Sequence, residues 1–168
     1  VTPSRLDKAK FELGQLIRHL KGDRVAIIVF AGSSHLYLPL TTDYEAAMLF
    51  LNEIDTNMIP TQGTVLSSAM NTALNAFTNE SDKFRVMLLV SDGEDHDGKA
   101  IELAEKAAAS GFKINTVGVG SKNGSLIPIE SKDGKISEYK RDKKGKLITS
   151  TLNDRILKDI AIAGNGSF

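Results

Sequence analysis

The sharpest feature of the hydrophobic pattern is VMLLV, residues 86–90, which stops at Ser91 and gives way to the acids Asp92, Glu94 and Asp95. Five consecutive apolar residues are too few to span a bilayer and too unbroken for a half-exposed strand. They predict a strand over residues 84–91 that is buried on both faces. In open α/β sheets ligands bind beyond the carboxyl ends of parallel strands, so Asp92 stands where such a fold keeps its chemistry.

The other segments follow the same alternation of periods. Leu6, Ala9, Leu13, Leu16, Ile17 and Leu20 recur at helical spacing, and Ser4 with Asp7 resembles a capping box, so a helix is expected over residues 5–20, ended by Gly22. Residues 24–31, RVAIIVFA, read as a buried strand, and HLYLPL, residues 35–40, as its hairpin partner. Pro39 lacks a ladder donor and places that partner at the sheet edge. A second helix is expected over residues 43–54 and a third over residues 65–78, burying Leu66, Ala69, Met70, Ala73, Leu74 and Phe77. A helix over residues 98–110, a buried strand FKINTVGVG and a last helix over residues 152–163 capped by Thr151 follow, and GNGSF trails off. Residues 121–150 break the alternation. SKDGKI and DKKGK read as hairpin turns, so a surface β-hairpin insertion is expected there. The whole is expected to be a single domain over residues 1–168 with a doubly wound α/β fold, its sheet mostly parallel with one antiparallel edge strand.

Composition narrows the function. Lys plus Arg and Asp plus Glu both number 21, so no net field attracts nucleic acid or anionic lipid. Residues 132–146 carry seven Lys or Arg against three acids, which reads as a solvated hairpin before a basic contact patch. Cysteine is absent, which removes disulfides, thiol catalysis and zinc–thiolate sites. No run of 18 apolar residues occurs, and no signal peptide is recognised.

Three local motifs can be weighed at the acidic loop and two of them fail. Residues 93–100 nearly match a phosphate loop, but Ala100 stands where a hydroxyl is needed, and Glu94, Asp95 and Asp97 would put negative charge into a phosphate cradle. An EF-hand alignment on Gly98 puts Gly93 at the first ligand position and Ala104 at the bidentate glutamate. Elsewhere, Gly118 and Gly120 open like a dinucleotide fingerprint, but the next glycine, Gly124, comes one residue late. The remaining reading is an oxygen-lined divalent-metal site built from separate strand ends. Taken singly, Thr64 reads as a helix N-cap and Asp92 as a turn or cap residue. Their strand–loop–helix order favours a family resemblance, and it is that resemblance which gives them a metal role.

TQGTVLSSAMNTAL followed by RVMLLVSDGED resembles the von Willebrand factor type A domain, and SRLDKAK, GDRVAIIVFAGSSHLYLPLTTD and IPTQGT are most similar to the bacterial Bat proteins, which are linked to aerotolerance. The resemblance runs over essentially the whole chain. It implies a metal-ion-dependent adhesion site made of an Asp-x-Ser-x-Ser after the first strand, a later threonine and an aspartate after the fourth strand. The last two match Thr64 and Asp92. The chain opens inside the first helix of the family pattern, and no Asp-x-Ser-x-Ser occurs among its 168 residues. Ser33 and Ser34 lack the aspartate and fall on a hairpin turn. Loss of that central strand is expected to leave residues 24–31 and 84–91 with unpaired edges, and to leave Mg²⁺, Mn²⁺ or Ca²⁺ weakly bound or unbound.

The resemblance therefore implies a non-catalytic module that binds protein partners through a metal face. The resemblance further implies that the module is part of a membrane-associated bacterial protein, with this domain extracytoplasmic. Other such domains, or an AAA-type ATPase system, are the expected partners. Two alternatives stand beside it: a metal-dependent hydrolase or phosphatase using Asp92 with His96 as acid or base, and a structural domain in which Asp92 caps a helix. His19 and His35 are expected to face solvent.

Overall fold

A computed structural model describes residues 4–61, 63–77, 84–130, 136–142 and 144–168. Helix α1, Arg5–His19, starts at the expected box: Ser4 Oγ accepts from the Asp7 N–H at 3.1 Å and the Asp7 carboxylate accepts from the Ser4 N–H at 3.0 Å. Strands β1, Val25–Phe30, and β2, Ser34–Thr41, form the expected antiparallel hairpin. Helix α2, Tyr44–Glu53, is capped by Asp43, whose side chain accepts from the Ala46 N–H at 2.9 Å. Helix α3, Leu66–Ala76, leads to β3, Arg85–Ser91, and then helix α4, Ala100–Ala109, crosses to β4, Phe112–Gly118, which pairs with β3 in parallel.

Within residues 121–150, the described residues form the expected short paired strands. Strand β5, Ser125–Leu126, pairs with β8, Thr149–Ser150, and β6, Pro128–Glu130, pairs with β7, Ile136–Tyr139. Arg141 bridges Leu147 across the DKKGK turn, where Asp142 Oδ1 accepts from the N–H groups of Lys144 at 2.8 Å and Lys146 at 2.9 Å. The other expected turn falls on residues 131–135, outside the described residues. Helix α5 runs Asp154–Ala163.

Two apolar clusters hold these parts together. The larger unites Leu66 and Met70 of α3, Met87 and Leu89 of β3, Ala100, Ala104 and Ala107 of α4, and Leu157 and Ile160 of α5 with Phe112 and Ile114 of β4. The smaller joins Ile17, Leu38, Ala47 and Leu51. Strand β1 serves both, because side chains alternate across a strand: Ile28 and Phe30 pack on the larger cluster, Val25 and Ile27 on the smaller.

Burial of the strands departs from expectation. On β3, Met87 and Leu89 are buried, but Val86 and Leu88, on the opposite face, are 52% and 38% exposed. The apolar run is two-sided, whereas helices α3, α4 and α5 cover one side only, and α1 and α2 lie over the β1–β2 hairpin instead. Strand β1 is half-buried along its whole length, and β4 alternates between buried Phe112, Ile114 and Thr116 and more open positions.

The α/β fold is therefore as expected, but the sheet comes in two halves. Strand β1 is hydrogen-bonded to β2 and β3 to β4, with no ladder between β1 and β3 among the described residues. Just past the end of β1, Ala31 O accepts from the Val65 N–H at 3.2 Å; in the loop after β3, the His96 N–H donates to Thr64 O at 3.1 Å. The carboxyl ends of β1 and β3 thus meet the same loop.

The tail does not trail off. Ile114 N–H donates to Gly164 O and Thr116 N–H to Ser167 O, both at 2.9 Å, so residues 164–168 lie along the outer edge of β4. A Cβ on Gly166 would fall 1.8 Å from Ile114 O, which explains the glycine there.

Candidate metal face at the end of the sheet

The site begins where β3 runs out. Ser91 is buried; its carbonyl accepts from the Val119 N–H at 2.9 Å and its hydroxyl from the Gly93 N–H at 3.1 Å. Gly93 has φ 79°, and a Cβ on it would sit 2.1 Å from Asn153 O, so only glycine lets the loop pass this close to α5. The Asn153 N–H in turn donates to Asp92 O at 2.8 Å. That bond fixes the approach to α5, and Asn153, not Thr151, is the residue at its N-cap, with no side-chain cap.

Asp92 is held by two other segments. Arg5 Nη1, at the start of α1, donates to Asp92 Oδ2 at 3.0 Å and to Ser150 Oγ at 2.8 Å, and Ser150 Oγ donates to the same Oδ2 at 3.2 Å. Asp92 Oδ1 accepts only a long bond, 3.3 Å, from the Glu94 N–H. The Asp92 side chain makes this turn contact and caps no helix.

Thr64 lies across the loop, half-buried. It is not the cap of α3: the N-cap is Val65, without a side-chain bond. The Thr64 hydroxyl makes no hydrogen bond within the described residues, while its carbonyl takes the His96 N–H. The role expected of a capping side chain goes to another loop: Asp95 Oδ1 lies 3.4 Å from the Leu66 N–H at the start of α3. Asp95 Oδ2 is buried with no hydrogen-bond partner among the described residues. Burial pushes the Asp95 carboxyl up from its ordinary range, whereas the Ser67 hydroxyl, donating to the Asp97 carboxylate, holds Asp97 down.

The structure thus brings the loops of Thr64 and Asp92 together at one end of the sheet, through His96, without direct contact between the two side chains. His96 itself is exposed, as are His19 and His35. The sequence reading missed Arg5 and Ser150, which stand 87 and 58 positions from Asp92 and give no local signal. It saw Asp95 and Asp97 only inside motifs that failed.

As a donor set, Thr64 and Asp92 offer hard oxygens and one negative charge, which suits Mg²⁺ or Mn²⁺. Asp92 Oδ1 has capacity to spare, but Oδ2 is committed to a guanidinium, so the fit is that of a partial site. Among the described residues no group of three or more His, Cys, Asp or Glu gathers around a common point.

Comparison with known proteins places this arrangement. Residues 1–94 match the family profile of the von Willebrand factor type A domain, and the chain belongs to that family. It is similar to BatB from Bacteroides thetaiotaomicron, with 40% identity and TM-score 0.92 over 99% of this chain and 80% of that one. An aerotolerance-related membrane protein from Bacteroides fragilis NCTC 9343, solved with multiple mutations to serines, is similar at 38% identity, TM-score 0.92 and 99% and 81% coverage. The manganese-loaded TRAP protein of Plasmodium vivax shares the fold at 16% identity and TM-score 0.64, over 91% of this chain and 54% of that one. No curated protein matches the chain. No helix among the described residues is long and apolar enough to cross a membrane.

Proposed function

We propose that this chain is a non-catalytic docking module that binds a protein partner at the end of the sheet carrying Thr64 and Asp92, with a divalent cation, Mg²⁺ or Mn²⁺, completing the contact. The observation that carries this reading is the His96 N–H bond to Thr64 O at 3.1 Å, which sets the threonine loop against the acidic loop at the carboxyl ends of β1 and β3. Thr64 and Asp92 would hold the cation, with waters filling the remaining positions. The cation would supply a positive centre to which a partner's carboxylate can bind. The similarity to an aerotolerance-related membrane protein supports a place in a membrane-associated bacterial protein. We propose further that the domain is extracytoplasmic and that other domains of this family or an AAA-type ATPase system are its partners.

The alternative, a metal-dependent hydrolase using Asp92 with His96 as acid or base, has less support: His96 is tied to the site by its backbone N–H on Thr64 O, and its exposed ring makes no hydrogen bond among the described residues that would orient it as an acid or base.

The test is capture of partners by the full-length protein with Mn²⁺ or with chelator, for wild type, Thr64→Ala and Asp92→Asn. Partner capture is expected to be lost with chelator and in both variants; capture indifferent to all three sinks the metal-face reading. Calorimetric Mg²⁺ titration is expected to show weak binding by the 168-residue chain and tighter binding by a chain extended upstream. Equal tight binding by both would show that Thr64 and Asp92 need no further strand.

A further inference from the structure

The geometry points to Arg5 as a tethered counter-ion that competes with the divalent cation for Asp92 and, through Ser150, couples occupancy of the site to the position of the β-insertion. It rests on the metal-face reading above and goes beyond it by naming what holds the carboxylate when no cation is bound.

Three distances define the latch. The Arg5 guanidinium bonds Asp92 Oδ2 at 3.0 Å, Ser150 Oγ bonds the same oxygen at 3.2 Å, and Arg5 Nη1 bonds Ser150 Oγ at 2.8 Å, closing a three-membered ring of polar contacts. Its members come from the first turn of α1, the end of β3 and the last strand of the insertion; the last two are also joined beside it by the Asn153 N–H bond to Asp92 O. The pair is partly shielded, with side chains 31% and 23% exposed, so its charges are not simply dissolved into solvent. The aliphatic part of Arg5 runs past Gly120, whose added Cβ would lie 3.6 Å from Arg5 Cδ, so the side chain has a built path. Asp92 Oδ1 carries no comparable partner.

A dication and a guanidinium at one carboxylate repel each other, and the oxygen lone pairs on Oδ2 cannot serve both fully. Cation binding at Asp92 therefore favours release of Arg5, and release of Arg5 removes one of the two side chains bonded to the Ser150 hydroxyl, leaving the β5–β8 pairing to hold the strand. Loosening of β5 and β8 is the expected mechanical readout. Removing the guanidinium should do the reverse, freeing the carboxylate for the cation.

The experiment is titration of full-length wild type, Arg5→Met, Arg5→Lys and Arg5→Met/Asp92→Asn with Mn²⁺, following the free ion by electron paramagnetic resonance. Amide hydrogen exchange of residues 125–130 and 147–151 is read with and without Mn²⁺. Loss of one charge-assisted bond in competition corresponds to roughly tenfold tighter Mn²⁺ binding by Arg5→Met, with Arg5→Lys between it and wild type. The gain should vanish when Asp92→Asn is added. In wild type, Mn²⁺ should speed exchange in the two insertion segments, and in Arg5→Met exchange should already be fast without it. Equal Mn²⁺ affinity in wild type and Arg5→Met overturns the latch while leaving the metal face intact; Mn²⁺ binding by neither overturns the metal face and the latch with it. A gain that survives Asp92→Asn also overturns the latch, since it would place the cation elsewhere. Ser150→Ala keeps the ion pair and is expected to speed insertion exchange with less than half the affinity gain of Arg5→Met; exchange unchanged from wild type would overturn the coupling.

Discussion

The two halves of the sheet are built from similar parts and closed to different degrees. Around β3 and β4, twelve buried residues form one cluster, and three alanines of α4, Ala100, Ala104 and Ala107, let that helix settle close to its neighbours. Around β1 and β2 four residues are buried, and Phe11, Leu16 and Leu49 of α1 and α2 remain exposed. The difference teaches where cooperativity resides. A side chain enclosed on every side leaves a cavity when truncated, whereas one near open surface lets its surroundings collapse or admit water. Leu157→Ala, at 0% exposure in the larger cluster, is therefore expected to cost about 3–5 kcal/mol, and Leu51→Ala in the smaller cluster about 2–3 kcal/mol. Urea unfolding of both variants measures this, and equal costs would erase the distinction between the halves.

The next effect concerns how the site loop is fastened to the well-closed half. Gly93→Ala meets both a positive φ of 79° and the Asn153 carbonyl 2.1 Å from the new Cβ. The strain at such a position, together with displacement of the Asn153–Asp92 bond, is expected to cost about 2–3 kcal/mol and to loosen the start of α5. Thermal unfolding and hydrogen exchange at residues 153–157 would show it. A neutral substitution would mean that the loop does not lean on α5.

How much of this could be read from the chain follows the same division. Helix phases were legible because each apolar stripe has one period, and the Ser4–Asp7 box was legible because its two members are three residues apart. The order of Thr64 and Asp92 along the chain was enough to place their loops at one sheet end. What the sequence concealed depends on partners far along the chain. VMLLV says that residues 86–90 can be covered on both faces, not that α3, α4 and α5 cover just one. Thr151 has a good capping side chain, but the Asn153 N–H, drawn to Asp92 O, moves the start of α5 two residues on. Arg5 and Ser150 reach Asp92 only through the fold.

A pH experiment sharpens the comparison where the insertion joins the larger half. Asp154 opens α5 and pairs with Lys122 at 2.7 Å and Lys158 at 2.9 Å, bonds that bring its carboxyl down to about 2 from the usual 3.8. A folded-state value below the unfolded one means that the ionised form is favoured by folding. Its contribution is present above the unfolded value and is lost as pH falls from 3.8 towards 2. Asp154→Asn should therefore be slightly less stable than wild type at pH 7, with the two converging as the pH falls to about 2. Asp154 is 22% exposed, but its partners Lys122 and Lys158 are 68% and 49% exposed, so solvent screens the pairs, the neutral-pH gap is small, and denaturation curves at a series of pH values decide it. A gap that widened on acidification would contradict the pairing.

The smallest effect expected is on the open face of β3. Val86 and Met87 are adjacent in one strand, yet 52% and 8% exposed, so they differ in surroundings far more than in chemistry. Val86→Thr exchanges a methyl for a hydroxyl at nearly constant volume. Where the side chain already meets water, that hydroxyl is solvated in the folded and unfolded states alike, and the expected cost is under about 0.5 kcal/mol. Met87→Ala, on the covered face, loses its contacts with the larger cluster and is expected to cost about 2–4 kcal/mol. Urea unfolding of both variants turns the contrast into a probe of what covers this face. A Val86→Thr cost under about 0.5 kcal/mol means that β3 keeps one side in water. A cost above about 1 kcal/mol means that something is packed on Val86 and Leu88, burying an unpaired hydroxyl there.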